Sequence, residues 1–124
     1  MNKLTKEEDR VLNNHGTESP FTSTLLNEKR TGTYNCKQCG NPLFKSDAKF
    51  DSGTGWPSFD QAIPGSVGRK SDSSLLMVRT EVHCAQCKGH LGHVFPDGPK
   101  DTTGERNCIN GVCLTFNPNG DKND

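Results

Sequence analysis

The chain has 124 residues, only 29% of them hydrophobic, and its 15 Lys and Arg balance 15 Asp and Glu to a formal net charge of zero. That length allows one domain, residues 1–124, with one core. Zero net charge argues against a protein held mainly by nucleic-acid phosphates or an anionic membrane, and a thin core with 13 Gly and 7 Pro calls for a staple such as a metal ion. No apolar run reaches bilayer-spanning length and residues 1–9 lack the apolar segment of a signal peptide, so the chain reads as cytoplasmic. In a reducing compartment C-x-x-C pairs are metal ligands or redox centres more often than structural disulfides.

Residues 4–14 read as one short helix: Thr5 and Glu8 form a capping-box pair, and Leu4, Val11 and Leu12 recur at helical spacing before His15-Gly16 ends it. His15 reads as a cap or an exposed residue, because a cation there suits the helix dipole. Residues 17–33 are polar and turn-rich, anchored by Phe21, Leu25 and Leu26, with no chemistry expected. Two similar units come next, each a strand, a C-x-x-C turn and a second strand: Cys36 with Cys39, then Cys84 with Cys87. A knuckle turn aims both sulfurs at one point, so two knuckles supply the four thiolates of a closed, tetrahedral, structural zinc site. The competing reading is a thioredoxin-like redox pair, which wants one C-x-x-C in a βαβ setting, and neither pair is followed by a helical pattern.

Between the knuckles, Lys49 to Phe59 is a loop punctuated by Ser52-Gly53-Thr54-Gly55 and carries the only Trp, Trp56. Two readings of Trp56 stand: a core residue, or an aromatic wall for an apolar ligand. Residues 64–73 read as an exposed loop and residues 75–84 as a central strand, whose Arg79 and Glu81 admit a functional reading, although an exposed polar face explains them as well. His90 and His93 follow, with Asp97 close behind; imidazoles move protons near neutral pH, and a second metal site there lacks further ligands at fitting spacing. In an extended segment Arg106, Cys108 and Asn110 share one face and Asn107 and Ile109 the other. A cation two residues from Cys108 favours the nucleophilic thiolate; the bland alternative is a small buried hydrophobe. Residues 117–124 read as a disordered tail.

These motifs, in this order, resemble the methionine-R-sulfoxide reductases, the B-type methionine sulfoxide reductase family, over roughly residues 4–116. The resemblance rests on both knuckles, on Lys49-Phe50-Asp51-Ser52-Gly53-x-Gly55-Trp56-Pro57-Ser58-Phe59, on Arg79-Thr80-Glu81-Val82, on His90-Leu91-Gly92-His93-Val94-Phe95-x-Asp97-Gly98-Pro99, and on Arg106-x-Cys108-Ile109-Asn110. It implies a mainly β fold of two small antiparallel sheets with a short N-terminal helix and a four-cysteine zinc site. It further implies Cys108 as nucleophile, Trp56 and Phe95 as the pocket for the substrate methyl group, and His90, His93, Asp97, Arg106 and Asn110 as a polar shell around the sulfoxide. The implied partners are methionine-R-sulfoxide in oxidised proteins and thioredoxin or another thiol reductant, acting on a monomer without nucleic acid or membrane. The alternative is a non-catalytic zinc-ribbon module that binds a protein or RNA; a basic stripe with interleaved aromatics is missing, and such a module has no need of Cys108 beside a histidine pair.

Four positions depart from the family pattern. Many members carry a resolving cysteine where this chain has Thr54, an aromatic at Asn107, Ser at Gly111 and a small residue at Cys113. Asn110-Gly111 is a strong hairpin dipeptide; a turn there would set Cys108 opposite Cys113 and make Cys113 the resolving residue. A chain that stays extended instead puts the two sulfurs on opposite faces and leaves a one-cysteine cycle, in which an external thiol attacks Cys108.

Overall fold

The computed structural model describes residues 1–73 and 78–119. Helix α1 (Lys6–Asn14), the one α-helix among the described residues, starts at the expected capping box, with the Thr5 hydroxyl accepting from the Glu8 amide and the Glu8 carboxylate accepting from the Thr5 amide. Its apolar stripe, Val11 and Leu12, is buried where the helix lies on the sheet. His15 itself adopts the left-handed conformation (φ 56°) that ends the helix, a conformation His tolerates better than most residues.

Among the described residues nine strands make two antiparallel sheets. In chain order they are β1 (Gly32–Cys36), β2 (Pro42–Lys45), β3 (Lys49–Phe50), β4 (Ser58–Phe59), β5 (Val67–Asp72), β6 (Arg79–Cys84), β7 (His90–Phe95), β8 (Arg106–Ile109) and β9 (Leu114–Pro118). Short 3-10 turns occupy Ser46–Ala48 and Gly111–Cys113. The small sheet runs β2-β1-β9 and the large one β3-β4-β8-β7-β6-β5. Aromatic rings join them: Phe59 of the large sheet stacks on Phe44 at 4.3 Å and meets Tyr34 edge-on at 5.1 Å, all three fully buried. A core this small gains most of its apolar burial from such large rings.

This is the expected mainly β architecture, but four local readings need correction. The segment 64–73 is not an exposed loop: β5 pairs with β6 from Val67↔Cys84 to Asp72↔Arg79. β6 is an interior strand as expected, although residues 75–77 of the anticipated run lie outside the described residues. Glu81 is 3% exposed, so β6 does not present it on a solvent face. Phe21 is not an anchor, being 70% exposed, while Leu25 does pack against the core. The tail expected from residue 117 is ordered at its start, since Asn117 and Pro118 pair with Thr33 and Gly32, and the Asn119 amide donates to the Thr31 carbonyl. β1 offers an open ladder edge there, and pairing along it outweighs the polar composition that suggested disorder.

Candidate active site and metal centre

The two knuckles are built alike. Each turns on a residue with positive φ, Gly40 (83°) and Lys88 (67°), and the same bonds close each turn: Gly40 N–H to Cys36 O and Cys36 N–H to Asn41 O, then Lys88 N–H to Cys84 O and Cys84 N–H to Gly89 O, all 2.8–2.9 Å. The four sulfurs lie within 4.8 Å of one another, with Cys36 to Cys87 at 3.7 Å and Cys39 to Cys84 at 3.5 Å. A tetrahedral ion with metal–sulfur bonds of about 2.3 Å sets its ligands about 3.8 Å apart, so these cysteines are positioned to bind a metal ion and the spacing suits zinc. All four knuckle sulfurs converge on one point, which fits metal ligation better than a redox pair acting within a single C-x-x-C.

Cys108 sits at the centre of the large sheet. Its ladder partners are His93 on β7 and Ser58 on β4, so the His93 side chain shares its face. The alternation expected for β8 holds: Asn107 and Ile109 are buried inward, while Arg106 and Cys108 open into a pocket of about 240 Å³. That pocket is walled by Trp56, Phe95, His93, Arg79, Thr54 and Asn110. The approach of β7 to β8 is close enough that a Cβ at Gly92 would run into the Cys108 carbonyl, a backbone atom that cannot step aside.

The electrostatics differ from the expected depressed thiol. Burial pushes the Cys108 thiol above its ordinary range, and the Thr54 hydroxyl, 4.0 Å from the sulfur, and the Arg106 charge only partly offset this. Arg106 is already engaged: its guanidinium stacks on Phe95 at 4.5 Å and donates to Asp97 at 3.0 and 3.3 Å. The same pair holds the exposed Asp97 carboxyl below its usual range, and Asp97 reaches the pocket only through Arg106. His93 Nε2 lies 2.8 Å from Asp72 Oδ2, which fixes the ring against β5.

Two expected residues stand elsewhere. His90 is 2% exposed, makes a 2.7 Å bond from Nδ1 to Glu81 and faces a neighbouring recess, its ring 5.4 Å from that of His93; burial outweighs Glu81 and lowers its basicity. Cys113 is fully buried in the core, its Sγ 3.3 Å from the His90 carbonyl and its thiol pushed well up by burial. The hairpin that would have faced it to Cys108 does not form. Asn110 continues extended (φ −70°, ψ 120°), Gly111–Cys113 makes a 3-10 turn, and β9 departs to the other sheet beside β1. The turn signal loses because both polar ends of Asn110 are committed: Nδ2 donates to Leu91 O and Oδ1 accepts the Glu18 amide, each at 2.9 Å.

Glu18 is the residue the sequence did not flag, in a stretch where no chemistry was expected. It is 2% exposed; its carboxylate accepts from the Gly111 and Val112 amides at 2.7 and 3.1 Å, and its carbonyl from Trp56 Nε1 at 3.0 Å. One residue thus ties the Trp56 wall, Asn110 and the turn after Cys108 together. A Thr-Glu pair in a polar loop gives no period or spacing from which this could be read. The departures also find physical reasons: a side chain at Gly111 would collide with Ser23, and Asn107, 1% exposed, donates to Phe59 O at 3.1 Å.

The SelR domain family matches residues 4–118. The chain belongs to that family. Relatives named peptide methionine sulfoxide reductase MsrB include that of Xylella fastidiosa strain M23, 55% identical over 118 residues (94% of this chain, 76% of the relative). Those of Agrobacterium fabrum strain C58, 53% identical over 117 residues (94% and 86%), and Pseudomonas putida strain W619, 56% identical over 116 residues (93% and 86%), are similar in extent. The Mis18 'Yippee-like' domain has a similar fold, with a TM-score of 0.56 at 19% identity over 71% of this chain and 96% of that one. The SelR match bears out the resemblance read from the motifs and does not favour the binding-module alternative. Among the described residues no helix is long and apolar enough to cross a membrane.

Proposed function

We propose that this SelR-family chain reduces the R epimer of methionine sulfoxide in oxidised proteins, with Cys108 as nucleophile. The observation that carries this is a thiol in ladder register with a histidine, inside a pocket that pairs two aromatic walls with polar groups. Trp56 and Phe95 receive the S-methyl group, since methyl and sulfur both pack well on aromatic faces. Cys108 sulfur attacks the sulfoxide sulfur; as the oxygen passes to Cys108 the sulfoxide S–O bond and the transient S–S contact break and a Cys108 S–O bond forms. The thiol proton ends on that oxygen by way of His93, so thiol plus sulfoxide gives sulfide plus sulfenic acid, with atoms and charge balanced. A thiol that is neutral at rest suits this scheme, because it brings the proton the oxygen needs. Arg106, held flat on Phe95 by Asp97, and the second N–H of the Asn110 amide stabilise the oxygen as charge develops. His90 supports His93 from the adjoining recess and does not touch substrate.

For regeneration, the buried Cys113 and the extended Asn110 favour the one-cysteine cycle. Thioredoxin or another thiol attacks the Cys108 sulfenic acid, releasing water and leaving a mixed disulfide that a second thiol resolves. Zinc bound by Cys36, Cys39, Cys84 and Cys87 supplies no chemistry to the reaction; it fastens β1 to β6 and β7. The chain acts as a monomeric single domain in the cytoplasm. The test is single-turnover reduction of separate R and S sulfoxide peptides without added reductant, with thiols counted before and after. Loss of one thiol with the R epimer alone is expected; loss of two restores Cys113 as the resolving residue, and no reduction of either epimer by zinc-loaded protein sinks the enzyme reading.

A further inference from the structure

We propose that His15, Glu81 and His90 form a second cation site, taking a first-row transition metal of the zinc, cobalt or nickel class. His15 Nε2 lies 3.2 Å from Glu81 Oε2, His90 Nδ1 lies 2.7 Å from the same oxygen, and all three ligand atoms fall within 4.8 Å of one another. A tetrahedral ion bound to imidazole nitrogen and carboxylate oxygen at about 2.1 Å spaces its donors about 3.4 Å apart, so a metal in place of the shared protons needs the His15–Glu81 donors to part slightly and the His90–Glu81 donors to part by about 0.7 Å, within reach of side-chain rotation. Two imidazoles and one carboxylate suit such metals and do not suit magnesium or calcium.

Two further observations point to a cation. Glu81 is 3% exposed, yet among the described residues its only ion-pair partners are these two histidines; no lysine or arginine pairs with it. A buried carboxylate without a permanent counter-charge is costly, and a divalent ion would supply that charge. The site also has an entrance, because His15 is 63% exposed on its side chain and shares a solvent-filled recess with Thr17, Lys70, Asp72 and Arg79, where water completes the coordination. Of the charges facing that recess, Arg79 lies 3.5 Å from Asp72, so one cation and one anion largely cancel, and Lys70 is the remaining positive group. The left-handed backbone of His15 is what puts its ring here, 5.2 Å from the His90 ring, at the end of α1 and above β6 and β7. A metal would therefore clamp the end of α1 to β6 and β7. The reading does not depend on the reductase chemistry.

The test uses full-length protein with the four-cysteine site filled by zinc, to which Co2+ is added. The expected result is one zinc and one cobalt per chain after desalting, a weak d–d spectrum without thiolate-to-cobalt bands, and a cobalt-dependent rise in Tm. His15→Ala, an exposed substitution that leaves the core intact, loses the cobalt and the Tm rise while keeping the zinc. Absence of bound cobalt, equal retention by His15→Ala, or the appearance of thiolate bands overturns the proposal.

Discussion

The knuckles and the Cys108 pocket are both cysteine sites, but they are made by different means. Each knuckle is a local turn whose hydrogen bonds run among neighbouring residues, so six residues of sequence fix where two sulfurs point. The pocket takes its walls from five segments far apart in sequence: the loop after α1, the Trp56 loop, β6, β7 and β8. Local sites are robust to distant change and legible from spacing; assembled sites depend on ties such as Glu18, far from the reacting atoms in sequence and close in space.

That contrast is open to breaking. The largest effect is expected for Cys108→Ser, which removes the nucleophile: R-sulfoxide reduction falls by roughly 10³-fold or more, while zinc content and Tm stay unchanged. Cys84→Ser does the reverse, acting through folding. Zinc at such sites is worth on the order of 10 kcal/mol, comparable to the whole stability of a small domain, so the variant loses both zinc and its cooperative unfolding transition by calorimetry.

Glu18→Gln tests the ties of the pocket itself. A Gln side chain sets an amide N–H against the Gly111 or Val112 N–H, and the single Trp reports the displacement by fluorescence. We expect a loss of about 10- to 100-fold in kcat/KM with little change in zinc content. An unchanged emission spectrum and unchanged kinetics would mean that Glu18 is only a loop anchor.

Smaller effects come from the thiols' electrostatics. Because burial raises the Cys108 thiol, the neutral form prevails below the ordinary thiol range, and iodoacetamide labelling should climb only as pH rises beyond it. Arg106→Gln removes an opposing influence and slows labelling at neutral pH several-fold further; faster labelling would show that Arg106 does not favour the thiolate. The least effect is expected of Cys113→Ala: about 1 kcal/mol of stability, or roughly 4 °C in Tm, with turnover supported by an external thiol unchanged. A collapse of that turnover would return Cys113 to the catalytic cycle.

The sequence by itself determined what depends on short-range geometry and residue chemistry. The capping box of α1, the paired knuckles, and the alternation of Arg106 and Cys108 against Asn107 and Ile109 all follow from turn and strand periodicities, and each is found in the fold. The family motifs likewise pointed to Trp56, Phe95, His93 and Cys108, which the pocket does bring together. Only the tertiary structure decided the rest. Asn110-Gly111 has the composition of a hairpin turn, yet buried hydrogen bonds, donated to the Leu91 carbonyl and accepted from the Glu18 amide, hold Asn110 extended and send Cys113 into the core. β5 carries no apolar alternation and exists because β6 offers it a ladder. His90 belongs with His15 and Glu81 and not with Cys108, because a shift of register between β6 and β7 sets its side chain in the next recess. For Asn110 and His90 the deciding energy is a buried polar group meeting a partner from another segment, and for β5 it is the open ladder edge of β6; spacing along the chain encodes neither.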